Sequence, residues 1–241
     1  SSDLNDHYAL QLQDKERAVI EEAKKCSDKV IVIINSDNVM EIGELKDDPE
    51  IDAILQVGGT GVYGLYGVAN VITGETSPSG HLVDTYAYSN FSSPASQNYG
   101  DFSFSNYDHT YVVYQEGIYV GYKYYETRYE DAVMGQGNAV SAAGAVNSEG
   151  DWNYQQEIVY PFGYGLSYTE FTQKITDVSW DTENRTVTVT VDVKNIGDYD
   201  GKSVVELYAQ TPYTEYDKEN KVEKASVQLV GYGKTQTLDH S

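Results

Sequence analysis

The stretch KVIVIINSDNVMEIGELKDDPEIDAILQVGGTGVYGLYGVANVITG, Lys29 to Gly74, decides the fold class. Val30 to Ile34 is a short, β-branched apolar run, the pattern of a strand buried on both faces of a parallel sheet, and Asn35 to Asn38 would end it. After a short helical or turn piece around Met40 to Leu45, Ile51 to Val57 repeats the pattern and completes one β-x-β unit. The glycine-rich Gly58 to Gly67 then turns into a helix over LYGVANVITG. Upstream, DKERAVIEEAKKC places Ala18, Val19, Ala23 and Cys26 at helical spacing, with Asp14 as a candidate N-cap. Cys26 falls on the apolar face of that helix, where a buried structural thiol is expected. Downstream, HLVDTYAY reads as a third short strand.

Composition narrows the function. Sixteen Lys and Arg against 38 Asp and Glu leave a formal charge of −22 on 241 residues, a field that repels phosphate backbones and anionic lipid, so neither nucleic acid nor membrane surface is an expected partner. No 18-residue apolar run is present to span a bilayer. A single cysteine rules out an intramolecular disulfide and a cysteine-based zinc cluster, and Ser1 to Asn5 lacks the basic start of a signal segment.

Chemistry-bearing motifs are sparse. The loop after the second strand carries neither the Gly-Lys-Ser/Thr of a phosphate loop nor a correctly placed GxGxxG. Because loops at the carboxyl ends of strands line the ligand crevice of open α/β sheets, Gly58 to Gly67, with Tyr63 and Tyr66, remains a candidate site wall. There is no GxSxG elbow, and His7, His81, His109 and His240 stand in polar, loop-like contexts. No metal-ligand motif appears, and the acidic turns at Asp198, Asp200 and Asp217 read as solvated. Glycosidic hydrolysis needs two carboxyl groups roughly 5 to 10 Å apart. No spacing singles out such a pair; Glu116 and Glu126 are the candidates if this chain holds one.

Tyrosine is over-represented, with 23 Tyr against 5 Phe, and fifteen of them fall between Tyr86 and Tyr168. A half-buried packing surface with wet hydroxyls accounts for such a run, and stacking on sugar rings is the functional alternative. Within it, TYVVYQEGIYVGYKYYETRYEDAV fits one or two strands, or a strand and a helical turn. From Ile175 the pattern alternates. ITDVSWD, RTVTVTVDVKN, SVVELYAQ and ASVQLVGYGK, separated by turns such as Asp181 to Asn184 and Gly197 to Gly201, have the pattern of an antiparallel β-sandwich. About four strands stand where a sandwich needs about seven, so this domain is expected to be incomplete.

DPEIDAILQVGGTGVYGLYGVANVITGETSPSGHL (Asp48 to Leu82), EGIYVGYKYYETRY (Glu116 to Tyr129), YPFGYGLSYTEF (Tyr160 to Phe171) and VDVKNIGDYDGKSVVELYAQ (Val191 to Gln210) resemble, in order and spacing, signatures of glycoside hydrolase family 3, in the C-terminal half of its β-glucosidase-like members. The resemblance implies an α/β fold in three parts. Residues 1–88 would be the latter part of an α/β sandwich domain with a mostly parallel sheet, 89–171 a tyrosine-rich connecting segment, and 172–241 the start of an incomplete fibronectin type III-like β-sandwich.

It further implies a retaining β-glycosidase, β-glucosidase first and β-xylosidase next, acting through a covalent glycosyl-enzyme without a cofactor. The partners implied are a β-linked glycoside or oligosaccharide and the protein's own N-terminal barrel, which carries the family's nucleophilic aspartate. The acid/base glutamate of the family lies shortly before the helix resembling Asp14 to Cys26, and Ser1 to Leu12 holds no glutamate, so neither catalytic carboxylate is assigned and the chain alone is expected to be inactive. Thr60 to Tyr63 and Gly80 to Val83 depart from the family's usual turns. Tyr63 and Tyr66 are the substrate-binding candidates, and no residue is a metal ligand. The insertions at Asn90 to Tyr111 and Met134 to Gln156 resemble larger bacterial members and point to an extracellular or cell-surface location. The alternative from another class is a non-catalytic carbohydrate-binding or interaction module.

Overall fold

A computed structural model describes residues 10–97, 102–114, 116–132 and 152–241. Along the chain run α1 (Asp14–Cys26), β1 (Ile31–Ile34), α2 (Gly43–Asp47), β2 (Ala53–Gln56), α3 (Gly64–Thr73), β3 (Tyr86–Ala87), α4 (Pro94–Gln97), β4 (Phe102–Phe104) and β5 (Tyr107–Tyr111). They are followed by α5 (Tyr122–Ala132), α6 (Tyr154–Glu157), β6 (Ile158–Tyr160), β7 (Phe171–Asp181), β8 (Thr186–Asn195), β9 (Val204–Gln210), α7 (Glu215–Asn220) and β10 (Val227–Lys234). The fold mixes helices with two-stranded sheets, and among the described residues no strands close into a barrel. Two units form: one from the described residues of 1–60, 83–162 and 209–228, the other from 61–82, 163–208 and 229–241.

In the first unit α1 spans the residues its periodicity predicts, but its N-cap is Gln13, not Asp14. Glu16 decides this, because its Oε2 accepts the Gln13 N–H at 2.8 Å and satisfies a donor that the first turn would leave open. Arg17 ties the helix to α2 through a two-pronged contact with Glu44, at 2.9 Å from Nε and 2.8 Å from Nη2. The apolar stripe is not buried: Val19 is 69% exposed, and Cys26 is exposed too, which corrects its assignment as a buried thiol. Strands β1 and β2 pair in parallel, Ile31 opposite Ala53 through Ile34 opposite Gln56. The expected burial on both faces is corrected as well, since Ile34 is buried while Ile31 and Ile33, on the other face, are 47% and 46% exposed.

The core of this unit continues through Ile42 and Leu45 to the antiparallel pair β3–β6, where Tyr86 faces Tyr160 and Ala87 faces Ile158. A side chain at Gly43 would collide with the Tyr88 ring, so glycine is required where α2 begins. The strand expected over HLVDTYAY contracts to Tyr86–Ala87. Ala87, Tyr124, Tyr125 and Ile158 form the central cluster, with Tyr119 and Tyr154 against it. The undecided tyrosine segment thus resolves into strand β5, a turn and helix α5, which buries Tyr124, Tyr125, Thr127 and Arg128. Its hydroxyls find partners as buried phenols must: Tyr125 Oη and Ser92 Oγ lie 2.7 Å apart, and burial pushes the Tyr125 phenol up to about 12.

In the second unit β7 and β8 form a long antiparallel hairpin from Phe171–Asn195 to Asp181–Thr186, with an irregularity between Ile175 and Asp177. Its turn is shaped by Asp181, whose Oδ1 accepts the N–H groups of Glu183 and Asn184 at 3.0 Å, leaving Arg185 at φ 53. Asn195, buried at the end of β8, accepts from Thr169 Oγ1 at 2.7 Å and donates to the carbonyls of Tyr199 and Leu238 at 2.7 and 3.1 Å. Strands β9 and β10 pair with each other. Helix α3 ends where Gly74, at φ 81, supplies the left-handed cap, and Tyr168 donates its hydroxyl proton to the Val71 carbonyl at 2.7 Å.

Candidate functional site

Two loops leave the carboxyl edge of β1 and β2, residues 35–38 and 57–60. The parallel ladder reaches beyond the strands: Val57 N–H donates to the Ile34 carbonyl at 3.0 Å and Gln56 Nε2 to the Ser36 carbonyl at 2.7 Å. Asp37 Oδ1 accepts the Gly59 N–H at 2.8 Å. Gly58 takes φ +56, a left-handed conformation that glycine adopts without steric cost. Asp37 and Gln56 were not singled out by sequence motif. The signal available was their position, Asp37 on the loop after β1 and Gln56 at the carboxyl end of β2.

The candidates Tyr63 and Tyr66 belong to the second unit. Tyr63 occupies the N-cap position of α3 and Tyr66 lies in its first turn, its N–H donating to the Tyr63 carbonyl at 3.1 Å. They are 80% and 72% exposed, with Val62 and Leu65 exposed beside them in sequence. An exposed pair of phenol rings on a helix start presents apolar faces and hydroxyls to a ligand at small cost in side-chain entropy. Nearby in sequence, the departures at Gly80 and His81 have structural partners. A side chain at Gly165 would strike the Gly80 carbonyl, and the His81 ring Nδ1 lies 2.6 Å from the Gly163 carbonyl oxygen.

The two candidate carboxylates have separate surroundings. Glu126, half-buried on α5, accepts the Tyr154 hydroxyl at 2.6 Å, and burial raises its pKa, with the Tyr154 bond opposing. Tyr154 is itself pushed well above the usual phenol range by burial and by its bond to Glu126. Tyr154 is thus the partner that the structure gives the Glu126 carboxyl. Glu116 is half-buried in the turn before α5, where its carbonyl accepts the Tyr119 N–H at 3.0 Å.

Of the histidines, His240 contacts Asp200 at 2.7 Å, which raises the imidazole pKa, while His7 and the side chain of His109 lie outside the described residues. Asp217 accepts from Lys224 Nζ at 2.8 Å. Among the described residues no three His, Cys, Asp or Glu side chains gather as a metal site, and no helix is long and apolar enough to cross a membrane.

Residues 1–122 match the glycosyl hydrolase family 3 C-terminal domain. The chain belongs to glycosyl hydrolase family 3. A β-glucosidase of Ruminococcus albus is 33% identical over 227 residues, covering 94% of this chain and 20% of that protein. The crystal structure of a β-glucosidase from Paenibacillus barengoltzii superposes with a TM-score of 0.71 at 28% identity, over 96% of this chain and 21% of the other. β-Glucosidase 3B of Thermotoga neapolitana, solved in complex with α-D-glucose, gives 0.69 at 28% identity, over 95% and 27%. This family 3 chain therefore spans between a fifth and about a quarter of the length of the relatives it matches. The four ordered signatures read from the sequence identified the same family.

Proposed function

We propose that the complete protein carrying this chain is a retaining β-glycosidase, with β-glucosides the first substrate class and β-xylosides the next. The observation that carries the reading is the family 3 match over residues 1–122, joined to β-glucosidase relatives along more than nine-tenths of the chain. In this reading residues 1–88 form the latter part of the family's α/β sandwich domain and 89–171 connect it to a fibronectin type III-like domain beginning near residue 172. The parallel β1–β2 pair and the β7–β8 hairpin support that division. The nucleophile and the acid/base belong to the rest of the protein, including an N-terminal barrel, and the 241-residue chain is inactive alone. No cofactor takes part, and the location is outside the cell or on its surface.

Tyr63 and Tyr66 contact substrate, their exposed phenol faces stacking on pyranose C–H groups. Replacing either with alanine in the complete protein is expected to raise KM for β-glucosides severalfold, the loss of one aromatic contact of about 1 kcal/mol, with kcat held within twofold. Steady-state kinetics on aryl glucosides and on oligosaccharides check this; unchanged KM on both would remove the two tyrosines from the site.

A further inference from the structure

The strongest unassigned feature is the bond across the carboxyl edge of β1–β2, where Asp37 Oδ1 accepts the Gly59 N–H at 2.8 Å. Asp37 is presented from a tied loop. Ser36 Oγ accepts the Asn38 N–H at 3.2 Å and donates to the Asn38 carbonyl at 3.1 Å, and the Ser36 carbonyl is held by Gln56. Its partner is the opposite kind of segment. Gly58 and Gly59 are adjacent glycines, Gly58 sits at φ +56, and a Cβ at Gly59 would come to 3.1 Å from Asp37 Oδ1.

A two-glycine turn has a large set of open conformations, and each costs entropy to exclude. One charge-assisted hydrogen bond from a rigid neighbour selects a single member of that set. The close approach at Gly59 packs the turn directly against the Asp37 carboxylate, leaving little room there for a side chain.

We infer that Asp37 is a positioning residue: its carboxylate fixes the Gly58–Thr60 turn as a wall of the substrate crevice, so that substrate affinity, not the chemical step, depends on it. The inference rests on the glycosidase reading and on the rule that open α/β sheets bind ligands outside the carboxyl ends of their strands. It adds a residue to which no motif points. Asparagine keeps an oxygen that can accept from Gly59, while alanine removes it.

The test compares Asp37→Ala and Asp37→Asn in the complete protein by two readouts, kinetics on nitrophenyl β-glucoside and amide hydrogen exchange over Gly58 to Tyr63. Asp37→Ala is expected to raise KM and to speed exchange at Gly59 about fivefold each, the change that one ordinary hydrogen bond makes, with kcat within twofold. Asp37→Asn is expected to restore both to within twofold of wild type. Unchanged exchange in Asp37→Ala, a fall in kcat without a rise in KM, or an asparagine variant as impaired as alanine would each overturn the inference. If the wild-type protein turns over no β-glycoside, the glycosidase reading falls, and the inference about substrate falls with it; the exchange rates then report separately whether Asp37 holds the turn.

Discussion

Glu126 shows what a single residue can hide from sequence. In the run YKYYETRYEDA it stands among acids and tyrosines as a candidate catalytic carboxyl, and nothing in the spacing says that its partner is Tyr154, which donates to it at 2.6 Å. Burial raises the Glu126 pKa above its unfolded value, so its contribution to stability is fully present below that unfolded value, near 4.3, and is lost as pH rises through the higher folded one. Glu126→Gln keeps an acceptor for the Tyr154 hydroxyl without the buried charge. It is expected to match wild type in thermal midpoint near pH 4 and to exceed it at pH 8; a variant less stable than wild type at pH 8 would show that the carboxylate is a favourable partner there.

Cys26 is the complementary case. Helical spacing placed it correctly on the apolar stripe of α1, yet spacing reports where apolar residues lie and not what covers them, and the stripe stands exposed. The same limit accounts for Ile31 and Ile33 on β1.

At the scale of elements, most of the chain was legible. Strong local signals set α1 from Asp14 to Cys26, the two parallel strands, and the strands of RTVTVTVDVKN, SVVELYAQ and ASVQLVGYGK, while ITDVSWD marks only the latter part of β7, which begins at Phe171. Where tertiary pairing decides, the reading was looser. HLVDTYAY kept only two strand residues, because a strand of that length exists only as far as β6 pairs with it. Helix α7 was missed between two strands, although its signal is local: Thr214, three residues before Asp217, forms a capping box in which Asp217 Oδ2 accepts the Thr214 N–H at 2.7 Å.

Lys224 Nζ, at 2.8 Å, and the Thr214 groups hold the Asp217 carboxyl down at about 2. A depressed folded value means stability present above the unfolded pKa of about 3.9 and lost as pH falls from there towards 2. Asp217→Asn is expected to flatten that part of the stability curve. Thermal midpoints of both proteins between pH 5 and 2 check it, and parallel curves would refute the assigned role of Asp217.

For the whole molecule, charge and order mattered more than any single motif. A net charge of −22 turned the reading away from polyanion partners, and four signatures in sequence order pointed to one family, to which residues 1–122 then matched. The site was less legible than the fold. Sugar recognition needs only exposed aromatic faces and hydrogen-bonding groups, which many surfaces offer, so Tyr63 and Tyr66 came from position on a loop and Asp37 came only from geometry.

The central claim is that this chain is the non-catalytic part of a family 3 β-glycosidase. The direct measurement is turnover of nitrophenyl β-glucoside and β-xyloside by the 241-residue chain beside the complete protein. The account predicts turnover by the complete protein alone, faster on the glucoside; turnover by the 241-residue chain would contradict it and place a working carboxylate pair among its own 38 acidic residues.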